Sequence, residues 1–60
     1  MTELERLLAR ELGHELRHVS YLINKSMSEF SISDEFYKAL GDQANELYEM
    51  GNAWSKRGMS

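Results

Sequence analysis

Residues 26–36 read SMSEFSISDEF, a stretch of serines and carboxylates that interrupts two long helical patterns. On its N-terminal side, apolar residues recur at Leu4, Leu8, Leu12, Leu16, Val19, Ile23 and Met27. Steps of three and four place them on one stripe of an α-helix. On its C-terminal side the run is Tyr37, Leu40, Ala44, Leu47, Gly51 and Trp54, a heptad-like seam. Ser31 or Ser33 can cap the second helix, with Asp34 and Glu35 in its first turn, where carboxylates complement the helix dipole. Gly58 suits a helix end. No proline breaks either run. The spacing predicts one domain over residues 1–60, with a helix over about 2–27, a turn over about 28–32 and a helix over about 33–57.

Two amphipathic helices joined by a short connection make an antiparallel hairpin, an all-α fold. A lone hairpin leaves each apolar stripe partly wet, and a chain of 60 residues has a marginal core. With no cysteine, disulfides and thiolate metal sites are excluded. The economical solution is a homodimer in which two hairpins form a four-helix bundle. Ala44 and Gly51 alternate with Leu40, Leu47 and Trp54, and alternating small and large residues let facing layers interdigitate. The leucine and aromatic stripes therefore read as core. Parallel and antiparallel dimers bury the same stripes, and Trp54 fits either the core or an exposed anchor.

The net charge is −3, unevenly spread. Residues 1–27 carry Arg6, Arg10, Arg17 and Lys25 against Glu3, Glu5, Glu11 and Glu15, plus both histidines. The remainder carries three basic and six acidic side chains. A polyanion would have to use the first half. No apolar run approaches the roughly 18 residues of a membrane span, and the N-terminus lacks a signal-peptide h-region. The expectation is a cytoplasmic protein with no membrane contact.

HELRH, residues 14–18, spells the zinc-protease pattern H-E-x-x-H. On a helix His14 and His18 stand one turn apart and both reach toward one ion. A zincin also needs a third protein ligand, an open coordination position and a substrate cleft. Glu15 borders the apolar stripe instead of facing the histidine pair. The reading is a solvated helix face: no catalytic residue, no metal and no cofactor, with at most incidental chelation by the two imidazoles.

Projected on the first helix, Glu3, Leu7, Arg10, His14, Arg17, Tyr21 and Lys25 share one arc with His18 at its edge, away from the apolar stripe. Arg and Lys neutralise phosphates, and Tyr and His rings stack on unpaired bases. Arg10, Arg17 and Lys25 are candidates to hold phosphates, His14 and Tyr21 to pack against a loop, and His18 to hydrogen-bond. Glu35, Asp42, Glu46 and Glu49 make the second helix an unfavourable phosphate site. The competing readings are an ordinary charged outer face and a protein-interaction or inhibitor module that presents its helices to another protein.

Residues 39–51, ALGDQANELYEMG, carry the pattern L-x-D-x-A-x-E-L-Y at Leu40, Asp42, Ala44, Glu46, Leu47 and Tyr48. This resembles the second helix of the Rop (Rom) family of plasmid copy-number regulators. Chain length and the position of the turn agree, and Thr2, Glu5, Leu22 and Lys25 match in the first half. The resemblance implies a homodimeric four-helix bundle that binds the loop–loop complex of two complementary RNAs. By position, the RNA face of that family falls on Glu3, Arg10, His14, His18 and Lys25, of which Lys25 keeps the family's residue. The function so implied is a small RNA-binding regulator and not an enzyme.

Overall fold

A computed structural model describes residues 1–59; Ser60, part of the expected 1–60 domain, lies outside the described residues. Two helices, α1 (Glu3–Glu29) and α2 (Asp34–Met59), pack as a hairpin, and no strand occurs among the described residues. The Cα trace extends over 45 × 15 × 10 Å.

Local chemistry sets the ends. Thr2 caps α1 in a reciprocal box: the Glu5 N–H donates to Thr2 Oγ1 at 3.1 Å, and the Thr2 N–H donates to Glu5 Oε1 at 2.9 Å. α1 stops at Phe30, whose extended backbone (φ −118°, ψ 146°) leaves the helical region. Of the two serines that could start α2, Ser33 does so. Its Oγ accepts from the Phe36 N–H at 3.2 Å, and its carbonyl accepts from the Tyr37 N–H at 2.8 Å. Asp34 and Glu35 occupy the first turn of α2, and Lys56 and Arg57 the last, so both ends suit the dipole.

The seam between the helices is made of small residues. Gly13, Ser20 and Met27 recur every seven positions on α1, with Ala9 beside them; Ala44, Gly51 and Gly58 do the same on α2. All seven are buried. A Cβ on Gly13 would lie 2.5 Å from the Gly51 carbonyl oxygen, and one on Gly51 would lie 2.7 Å from the Gly13 carbonyl oxygen. The two backbones therefore approach as only glycine permits. At the next layer the Ser20 hydroxyl donates to the Ala44 carbonyl oxygen at 2.7 Å, which satisfies a buried polar group and fixes the register.

This arrangement corrects two expectations. Gly58 does not end α2. It lies inside the helix, and a Cβ there would fall on Arg10 Cγ and 2.8 Å from the Arg6 carbonyl oxygen. Nor does the leucine stripe form the contact between the helices. Of its members only Met27 is buried, at 8% exposure, whereas Leu8 is 60% exposed. The close approach at Gly13 and Gly51 leaves no room for leucine there, so Leu8, Leu12, Val19 and Leu22 are turned to one flank.

That flank is an open apolar side. Leu8, Leu12 and Trp54 border one depression with Met1, Glu5 and Ala9. Val19, Leu22, Ile23 and Leu40 border a second. Trp54 is half-buried there, with the Arg57 guanidinium 4.7 Å from its ring centroid. Tyr37, expected in the apolar seam, is 54% exposed. At 3.6 residues per turn it falls on the other flank of α2, in line with Tyr48 and Ser55.

Candidate RNA-binding face

The flank opposite the apolar side carries the predicted arc. Arg10, His14, His18, Tyr21 and Lys25 are all exposed. The spacing 10, 14, 17, 21 keeps the row on one side of α1 for three turns. Because the seam occupies one quarter of α1 and the leucines the next, this row faces solvent away from both.

Arg17 differs from the other five. Its guanidinium Nη1 donates to Ser55 Oγ at 2.7 Å and to Asn52 Oδ1 at 3.4 Å, and its stem lies against Gly51. The glycine contact at Gly13 and Gly51 lets this side chain cross to α2. Arg17 is thereby half-buried and held in one geometry. Arg10 also rests its stem on a glycine, Gly58, but its residue stays exposed. The face thus holds one fixed guanidinium and two more cations, Arg10 and Lys25, that are solvent-exposed.

Acidic groups other than Glu3 are segregated from it. Asp42, Glu46 and Glu49 are exposed on the outer side of α2, away from α1. Glu11 and Glu15 lie between the histidines and the leucines of α1. Glu3 is the one carboxylate in the arc, at its N-terminal end, and lies 3.6 Å from Arg6 Nη1.

His14 and His18 are exposed on the same side of α1, and Glu15 is exposed toward the apolar flank. Among the described residues no group of three or more His, Cys, Asp or Glu side chains is placed to hold a metal ion. Within HELRH, His14, Glu15 and His18 are exposed while Leu16 and Arg17 are half-buried. No described helix is long and apolar enough to cross a membrane.

Reading the sequence missed what α2 adds. Asn52 and Ser55 reach this face through Arg17, and Tyr48 and Tyr37 stand on the same flank. The signal was present in the spacing of Tyr48, Asn52 and Ser55, but only the contact with Arg17 says which flank of α2 adjoins which flank of α1. Comparison with known proteins gives no match: no family model, no curated protein and no solved structure matches the chain.

Proposed function

We propose that the chain is a homodimeric four-helix bundle that binds looped RNA as a small cytoplasmic regulator, in the manner of the Rop-like control of plasmid copy number. It is read as a binding protein and not as an enzyme. The observation that carries the proposal is the separation of two flanks. The apolar flank leaves Leu8, Leu12, Val19 and Leu22 exposed on a chain with little else to bury. A second hairpin laid on that flank covers them and leaves Arg10, His14, His18, Tyr21 and Lys25 in solvent. Association and polyanion binding then use different surfaces and do not compete.

The test is a gel shift of a loop–loop RNA pair against a duplex of equal length, run over a range of salt. The loop–loop pair binds more tightly. Arg10→Ala and Lys25→Ala each lower the salt slope by about one unit, as loss of one phosphate contact does. Equal affinity for both RNAs, or no effect of either substitution, overturns the assignment.

A second reading, a protein-interaction or inhibitor module, is favoured by the same apolar flank, because a foreign helix covers it as well as a second copy does. Capture from lysate with and without RNase separates the two: RNase-sensitive capture supports the regulator, and a stable partner that resists RNase supports the module.

A further inference from the structure

All three tyrosines of the chain stand on the flank that carries Arg10, Arg17 and the histidines. Tyr21 belongs to α1, and Tyr37 and Tyr48 to α2. The flank of α2 is fixed by two sets of contacts: Asn52 and Ser55 meet Arg17, while Leu40 and Trp54 meet the leucines and valine on the opposite side. From the Arg17–Asn52 contact, one helical turn toward the connection leads to Tyr21 on α1 and to Tyr48 on α2. The close pairs Gly13–Gly51 and Ser20–Ala44 set the register of the antiparallel helices, which puts Tyr48 level with Arg17 and Tyr21 about one turn nearer the connection. They are 60% and 51% exposed, and Tyr37 is 54% exposed. Between Arg10 and Tyr21 on α1 and between Tyr37 and Ser55 on α2 the rows contain no carboxylate; Glu3 and Asp34 stand at their outer ends.

We infer that the RNA site spans both helices of one hairpin, and that Tyr48 and Tyr37 of α2 stack unpaired bases beside Tyr21 while Arg17 and Arg10 hold the phosphates between them. The inference rests on the RNA-binding reading above. Its occupant is unpaired RNA for three reasons. Exposed rings in a row offer π-faces to successive bases, whatever their identity. Cations interleaved with the rings suit a backbone charge at each step. The central parts of both rows carry no carboxylate, so the repulsion that the outer side of α2 would exert is absent there. Arg17 is already immobilised by Ser55 and Asn52, so less side-chain freedom is lost when a phosphate binds it. An A-form duplex keeps its bases stacked inside and offers the tyrosines nothing to stack on.

The experiment titrates a fluorescein-labelled stem–loop RNA, an oligouridine and the closed duplex with the full chain, its folding checked by circular dichroism. Tyr48→Ala weakens stem–loop and oligouridine binding by about tenfold or more, the effect of losing one stacked base. The salt slope does not change, because stacking releases few counterions. Tyr48→Phe restores affinity, since the ring and not the hydroxyl does the stacking. If Arg10→Ala weakens binding while Tyr48→Ala and Tyr37→Ala bind as the wild type does, the two-helix site is overturned and the RNA-binding reading stands on α1 alone. If the wild type binds none of the three RNAs, both fall.

Discussion

Along the contact between α1 and α2 the chain places Gly13, Ser20, Ala44, Gly51 and Gly58. A quarter turn away, on the apolar flank, it places Leu8, Leu12, Val19, Leu22, Leu40 and Trp54. The first set is buried, and the second is exposed or half-buried. A small-residue seam gains close van der Waals contact and a defined register, but it removes little apolar area from water. The large side chains would contribute about 1.5–3 kcal/mol each if fully covered. Much of the hydrophobic stabilisation available to this sequence is therefore not realised within the single hairpin, while the geometry of the hairpin is set by residues that bring almost none of it.

The comparison can be broken first at the apolar flank. Leu12→Asp places a charge on the face that the proposed dimer covers, and an unpaired buried charge costs about 3–5 kcal/mol. Dimer affinity falls a hundredfold or more, and light scattering after size exclusion returns the single-chain mass at concentrations where the wild type gives twice that mass. An unchanged mass for the variant would show that this flank is not the contact between copies.

The seam answers to a pair of glycines on the same helix. Gly51→Ala improves helix propensity but drives a methyl group to 2.7 Å from the Gly13 carbonyl oxygen. The helices must part, and thermal melts record a loss of about 1–3 kcal/mol. Gly41→Ala adds the same methyl 3.8 Å from Met27 Cε, an ordinary contact, and gains about 0.5–1 kcal/mol from propensity. Equal effects of the two changes would remove the argument for close approach.

The smallest effect lies at the N-terminal cap, outside both regions. The Thr2 backbone N–H, and then the Thr2 side chain, hold the Glu5 carboxyl below the usual glutamate range. A lowered folded-state value means that the contribution is complete above the unfolded value, about 4.3, and is lost as pH falls through the folded one. The Thr2 amide chemical shift, followed by NMR, therefore titrates with Glu5 as pH falls below that point. In Glu5→Gln the amide oxygen still accepts the bond, and this pH dependence disappears.

Much of this was legible in the residues. The periods of three and four and the serine-rich break each act within a few residues, so the two helices and the cap of α2 follow from local chemistry, while the Thr2–Glu5 box, equally local, emerged only with the structure. The exposed arc of Arg10, His14, His18, Tyr21 and Lys25 followed too, because a helix fixes which of its own residues share a side. The seam did not. A leucine stripe and a seven-residue repeat of Gly, Ser and Ala are both regular on a helix, and the sequence does not rank them. The ranking depends on how closely two backbones can approach, which becomes defined only when Gly13 meets Gly51. Arg17 changed role for the same reason: its partners, Asn52 and Ser55, are 35 and 38 residues away along the chain. Sequence alone determined the periods, the cap of α2 and the side of α1 that stays polar. Tertiary structure decided which stripe was buried and which flank of α2 joined that polar side, because both depend on backbone separation and register between segments far apart in the chain.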